Sequence, residues 1–381
     1  MNKTLFALAL GTFSLGMTEY VMMGILPDVA ADLGVSIPMA GKLISSYALG
    51  VCIGAFSLVI MHKYRPKHIM YFLTGIILAS AILASITPSY WMLLGVRFIE
   101  GLPHGAYFGV GSIIAVKVAK EGHGSMAVSL MCAGMTIANL MGVPVATFLS
   151  THLSWRLAFA IAALCAAATL YSIHRWMPDI EPEPDHGIKA QFHFLKNLDP
   201  WLIILATVFC NGGIFCWYSY ISPLLQEVGG FTAYQVSVLM IVAGVGMVLG
   251  NLLSGKLSER IPAGKVAFRF QLLAAVALLA IFFGAQWGWL SAALMFVVCG
   301  CLFAVSAPQQ YLIIKHAPGG EMLGGCCIQA AFNLGNAIGA VIGSIPISLG
   351  IGYQYTALFG MPFCMIGAIC LFIFHHRYEL R

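Results

Sequence analysis

Apolar runs of eighteen or more residues recur along the whole 381-residue chain, and they leave few folds open. Each is long enough to cross the roughly 30 Å hydrocarbon core of a bilayer as a helix. Backbone groups in lipid must be satisfied within the structure, so runs of this length read as helices. Composition agrees: 60% of residues are apolar and only 9% are charged, against about 25% charged in ordinary globular chains. The expected fold class is an all-α, multi-pass membrane protein, with the lipid bilayer as its first partner. The net charge of +5 belongs to the loops and implies no nucleic-acid surface. The 11 cysteines lie almost entirely in apolar runs, where they act as small hydrophobes. Their spacing gives neither a disulfide framework nor a metal site. The first apolar run is too long for a cleavable signal peptide, contains Glu19 and lacks a small-residue cleavage site.

About twelve spans are expected. Six fall at about Thr4–Leu26, Pro38–Met61, Ile69–Thr87, Trp91–Ala119, Met126–Leu149 and from Trp155-Arg156 to His174-Arg175. Six more fall at about Trp201–Leu225, Val236–Leu253, Phe268–Ala285, Leu290–Ile314, Leu323–Leu349 and Tyr355–His375. Between the sets, Pro178 to Asp185 is acidic and proline-rich and reads as an extended linker. Lys189 to Lys196 reads as a short amphipathic helix on the membrane surface. The division is therefore 1–177, a six-helix bundle; 178–199, a linker; and 200–381, a second bundle. Gly50, Gly54 and Pro66 recur as Gly246, Gly250 and Pro262, each displaced by 196 residues, and Asn139-x-x-Gly142 recurs as Asn336-x-x-Gly339, displaced by 197. A shift of half a chain argues for two related halves of the same orientation, and for a functional monomer. Lysine and arginine gather on one side of the spans, which by the positive-inside rule makes both termini and the linker cytoplasmic. The expected location is the cell membrane, the inner membrane of a bacterium.

The chemistry is concentrated in the fourth span. Arg97 and Glu100 lie three residues apart and share a helix face, with His104 one turn further. A charge at mid-membrane costs about 2.5–3.5 kcal/mol on insertion scales, so it is normally paired and faces a cavity. The pair is either a structural lock between helices or part of a transport mechanism. Glu19 lies well inside the first span, and a lone carboxylate there is expected to be neutral or partnered. Glu19, Arg97 and Glu100 are the candidates for handling a proton. The second half has almost no buried charge and offers aromatic and amide groups instead. With His104 and Asn139 of the first half, the candidate substrate contacts are Asn211, Trp217, Tyr218, Gln310, Gln329, Asn333 and Asn336. For Trp217 and Tyr220 the alternative is anchoring at the lipid interface; for Asn333 and Asn336 it is hydrogen bonding between helices.

Several stretches carry a resemblance. Thr18-Glu19-Tyr20 onward through Asp28-Val29-Ala30 resembles the first helix of bacterial sugar- and drug-efflux permeases, including arabinose-efflux permeases. Arg97-x-x-Glu100-Gly101 resembles the fourth-helix motif of the drug:proton antiporter group, and Gly134 to Pro144 its fifth-helix motif. Ala331 to Asn336 resembles its eleventh helix, and Gly255 to Arg260 the loop motif between helices eight and nine. Together they identify the chain as similar to the major facilitator superfamily over essentially its whole length. The resemblance implies the major facilitator fold and a secondary transporter that moves a small organic solute, a drug or a sugar, by alternating access. It also implies a proton gradient as driving force and no cofactor. Loop residues Lys63, Arg65, Glu259 and Arg260 become candidates for a gate. There are departures. Lys63 stands where the family usually has aspartate, and Val59 replaces a glycine, so the first copy of the gate is weakened. The fifth-helix motif reads Gly142-Val143-Pro144 rather than an adjacent Gly-Pro. A proton-independent facilitator or importer of the same fold is the alternative. An enzyme is not expected: HExxH, G-x-S-x-G and phosphate-loop patterns are absent.

Overall fold

The computed structural model describes residues 3–55, 57, 61, 64–119, 124–181, 192–258, 260–318 and 320–380. Among them the regular structure is all helical, joined by short turns. The first half comprises α1 (Lys3–Asp32), α2 (Ile37–Ala55), α3 (Pro66–Ile86) and α4 (Tyr90–Val118), then α5 and α6 (Arg156–Trp176). Here α5 is composite: Gly124–Ile137, a π-helical turn Ala138–Gly142, and Val143–His152. The second half comprises α7 (Leu198–Tyr218, continuing after a break as Ile221–Pro223 and a π turn Leu224–Val228), α8 (Ala233–Ser258), α9 (Ala263–Gly284), α10 (Gly288–Lys315), α11 (Glu321–Ser348) and α12 (Tyr355–Phe374). Among the described residues, eleven helices are long and apolar enough to cross a membrane by length and composition. The twelfth, α4, is 29 residues long and carries Arg97, Glu100 and His104.

Helix ends differ from the sequence reading at several places, two of which bear on the site. The first span was expected to stop at Pro27, but α1 runs through it to Asp32. A proline inside a helix removes one backbone hydrogen bond, and neighbouring helices can hold such a helix together. The seventh span was expected to be continuous; it breaks at Ser219–Tyr220, where Tyr220 leaves helical geometry (φ −117°, ψ 22°). Of the expected linker helix, the described part is one 3₁₀ turn, His193–Lys196, and the rest lies outside the described residues.

The repeated glycines have a packing reason. A methyl group at Gly50 or Gly54 on α2 would meet the backbone carbonyls of Phe98 or Leu102 on α4, and one at Gly101 would meet the carbonyl of Tyr47. In the second half Gly246 and Gly250 on α8 face the carbonyls of Phe296 and Gly300 on α10 in the same way. Small residues at such a seam let two backbones touch. The Asn-x-x-Gly repeat marks the other equivalent seam. Gly142 on α5 packs against Met17 on α1, and Gly339 on α11 packs against the backbone of Gly212 and Cys216 on α7. The halves are thus built on the same two close crossings.

Depth divides the core. One buried apolar cluster takes in the end of every helix that lies away from the termini, with Met23, Leu26 and Trp155 from the first half and Trp217, Tyr220, Met247 and Met295 from the second. On the terminus side the cores separate. One holds first-half residues such as Leu8, Met70 and Tyr107, joined by Cys326 and Ala330 of α11; another belongs to the second half alone, around Phe194, Ile313 and Phe374. Among the described residues, then, the two halves are fused at one end and largely independent at the other. Along their length α2 and α11 form the seam between halves, with Ser45 Oγ donating to the Ala337 carbonyl (3.1 Å) and Cys52 Sγ to the Ala330 carbonyl (3.1 Å).

Candidate functional site

The polar groups of the spans meet where the shared core gives way to the separate ones. The glycine seam between α2 and α4 brings Tyr47 against the face of α4 that carries Arg97, Glu100 and His104. Arg97 Nη1 donates to Glu100 Oε2 (2.5 Å) and to the Thr18 carbonyl of α1 (2.7 Å). Its guanidinium lies 4.4 Å from the centre of the Tyr47 ring and 5.8 Å from that of Phe159. Both members of the pair are fully buried. Arg97 thus touches two groups of other helices, the Thr18 carbonyl and the Tyr47 ring. A planar guanidinium suits this site because it stacks on an aromatic face while its fork holds a carboxylate.

Glu19 lies beside this pair and is 4% exposed. Its Oε1 accepts a hydrogen bond from Asn336 Nδ2 of α11 (3.2 Å), joining residues 317 positions apart and in opposite halves. Its Oε2 has no hydrogen-bond partner and stands 3.8 Å from His104 Nδ1. His104 Nδ1 is 2.8 Å from the Tyr47 hydroxyl, and the imidazole stacks on Phe108 at 5.2 Å. Sequence reading grouped His104 with the substrate contacts, whereas its contacts here are with Tyr47, Phe108 and Glu19. Tyr47 itself was missed. The signal was available, because Tyr47, Gly50 and Gly54 fall on one helical face.

The second-half candidates are more dispersed. Gln329 Nε2 donates to Gln310 Oε1 (3.3 Å), linking α11 to α10. Asn333 Nδ2 bonds the Gln329 carbonyl of its own helix (3.1 Å) and leaves Oδ1 without a partner, as does Asn336. Gln309, fully buried, has no partner at either amide atom. Asn211 bonds back to the Thr207 carbonyl and Asn139 to the Met135 carbonyl, both at 3.1 Å and both within their own helices. Asn139 lies in the π turn of α5, and Gly244 of α8 packs against its backbone. Interface anchoring of Trp217 and Tyr220 does not hold. Trp217 and Tyr220 have no exposed surface, and Tyr220 donates its hydroxyl to the Ala340 carbonyl (2.7 Å) above Gly41 of α2. Tyr20 of the first half packs against Phe215 (6.3 Å) and Phe303 (6.2 Å) of the second. Of the loop candidates, Lys63 and Glu259 lie outside the described residues. Arg65 pairs with Asp179 at the start of the linker, and Arg260 is exposed.

A buried ionic cluster in the first half is thus hydrogen-bonded to an amide of the second. Residues 8–324 match the family model described as Major Facilitator Superfamily. The chain belongs to this family. It is a multi-pass membrane transporter of small molecules and not an enzyme. AraJ of Escherichia coli (strain K12), which carries the name of a transporter, is 43% identical over 359 residues, covering 94% of this chain and 91% of that one. The inner membrane transport protein YdhP of the same organism is 36% identical, covering 98% and 96%. A protein of Helicobacter acinonychis (strain Sheeba) named as a sugar efflux transporter is 26% identical, covering 97% and 94%. Among solved structures, a bacterial homolog of the human lysosomal transporter Spinster, in an inward-facing and unoccupied conformation, superposes with a TM-score of 0.74 at 16% identity, covering 99% of this chain and 97% of that one. That likeness shows the major facilitator fold.

Proposed function

We propose that the chain is a proton-coupled efflux carrier of a small organic solute, a sugar or a drug, working by alternating access. The observation that carries this reading is the bond from Asn336 Nδ2 to Glu19 Oε1, which links the ionisable cluster of one half to an amide-bearing helix of the other. Glu100 already has a cation at 2.5 Å, whereas Glu19 has only an amide and a distant imidazole. Glu19 is therefore the better proton carrier, and Arg97–Glu100 holds Tyr47 and α1 in position. A proton on Glu19 changes what the carboxyl offers Asn336, and so couples its charge state to the fit between halves. The division into bundles 1–177 and 200–381 around a linker at 178–199 fits this rocking, and the pseudo-symmetry favours a monomer. Amide and aromatic groups of the second half, Gln310, Gln329, Asn333, Trp217 and Tyr218, suit hydroxyls or a flat ring. The efflux name of the Helicobacter relative and the inner-membrane name of YdhP support direction and location. Basic residues on the terminus side support a cytoplasmic placement of both termini. The driving force is the proton gradient, with no cofactor.

The test is transport in proteoliposomes carrying an internal pH dye, with L-arabinose and ethidium as trial solutes. Solute-dependent proton flux in wild type, lost in Glu19→Gln, supports the reading. Solute movement indifferent to a collapsed gradient would instead favour a facilitator, a reading that the direct Arg97–Glu100 contact also fits as a structural lock.

A further inference from the structure

Glu19 has one oxygen on the opposite half and the other facing its own half, and the group it faces there is a base. Oε2 is buried without a hydrogen-bond partner, 3.8 Å from His104 Nδ1. An unpartnered carboxyl oxygen in a protein interior is costly, and a functional role is one recognised explanation for it. The gap to a hydrogen bond is about 1 Å, within reach of a rotamer adjustment. We propose that His104 is a second proton site, which takes the proton of Glu19 and turns the carboxyl from its partner across the halves towards one within its own.

The charges around the two groups define the step. From α4, Arg97 and Glu100 face the cluster and neutralise each other. From α2 comes the Tyr47 hydroxyl, from α7 the Tyr218 hydroxyl lies near Glu19, and from α11 comes only the neutral Asn336. Glu19 and His104 are then left sharing one proton, either as acid and neutral imidazole or as carboxylate and imidazolium. Both arrangements have the same net charge, so neither leaves an isolated ion in the membrane interior. In the transfer the O–H bond at Glu19 Oε2 breaks and an N–H bond forms at His104 Nδ1, whose lone pair supplies the electrons. The step requires the Nε2–H tautomer of His104, in which the Tyr47 hydroxyl 2.8 Å away donates to Nδ1; that hydroxyl then turns to the Thr18 Oγ1 at 3.5 Å. The resulting ion pair lies wholly within the first half and competes with the bond to Asn336.

This inference rests on the coupling reading above, and its test separates the two. Full-length protein in lipid would be studied by infrared spectroscopy, using the carboxylic C=O band that Glu19→Gln removes. His104→Gln keeps a polar group but no base, so the band should grow, by about twofold if the proton is shared equally. Tyr47→Phe frees Nδ1 and should shrink the same band, which keeps the test informative if the His104 variant folds poorly. In proteoliposomes with L-arabinose or ethidium, His104→Gln should lower solute-driven proton flux by about 100-fold while solute counterflow, which needs only binding and rocking, persists. A band unchanged in both variants overturns the proposal. If the wild type moves no protons with either solute, the coupling reading falls, and the infrared result alone decides whether His104 holds a proton.

Discussion

Replacing Arg97 by methionine isolates the ionic cluster from the rest of the fold. The side chain is fully buried, and its removal leaves Glu100 without the one cation that Oε2 touches, while Oε1 already has no partner. Breaking a buried ion pair from one side costs about 3–5 kcal/mol, chiefly because the remaining charge is uncompensated. The bond to the Thr18 carbonyl and the stacking on Tyr47 are lost as well, but both involve the same group and are contained in that figure. At roughly 2 °C per kcal/mol for a large chain, the midpoint of thermal unfolding should fall by roughly 6–10 °C. The double variant Arg97→Met/Glu100→Leu removes both charges and should recover most of the loss, since replacing a buried pair by apolar side chains is often neutral or stabilising. The assay is a melting curve of the purified protein in one detergent at fixed concentration, for wild type, both single variants and the double. A double variant that melts below Arg97→Met, or an Arg97→Met that melts with wild type, would refute the view that Glu100 depends on this cation.

The seam between halves gives a second prediction. Asn336→Ala removes the bond to Glu19, worth about 0.5–1.5 kcal/mol, and should shift the balance between the two openings by roughly 2- to 13-fold; accessibility of a cysteine placed beside Tyr20 reports the shift. Gly54→Leu forces a side chain onto the Leu102 carbonyl and should give protein that elutes as aggregate in size exclusion, whereas Gly75→Leu, with open space at its Cβ position, should elute normally. Tyr220→Phe, which loses the bond to the Ala340 carbonyl, should lower stability by about 1 kcal/mol without abolishing solute counterflow. Asp32→Asn breaks the half-exposed pair with Arg156 and should change stability by under about 1 kcal/mol, an effect that shrinks further in 1 M salt.

Much of the fold is legible in the sequence. Bilayer thickness sets the length of each helix, so the spans can be counted from hydropathy, and the glycine and Asn-x-x-Gly repeats reveal two related halves because each marks a close backbone crossing. The i, i+3 spacing of Arg97 and Glu100 is enough to predict their contact, since it depends on one helix alone. Partners on other helices are different. Nothing local to Glu19 distinguishes Asn336 from Asn333, three residues away on the same helix; the rotation of α11 against α1 decides which of them reaches the carboxyl. Tyr47 does not stand out in the sequence because its role depends on lying against Arg97, which follows from the α2–α4 crossing. For Trp217 and Tyr220, position near a helix end left anchoring at the lipid boundary open beside a substrate contact, and only the packing of α7 against its neighbours puts both in the interior. Period and composition determined the elements and their pairing into halves, because hydrophobic burial and backbone satisfaction act along each segment. The partners of each buried polar group were decided by tertiary structure, because a hydrogen bond tolerates only a few tenths of an ångström, and that precision comes from packing between helices.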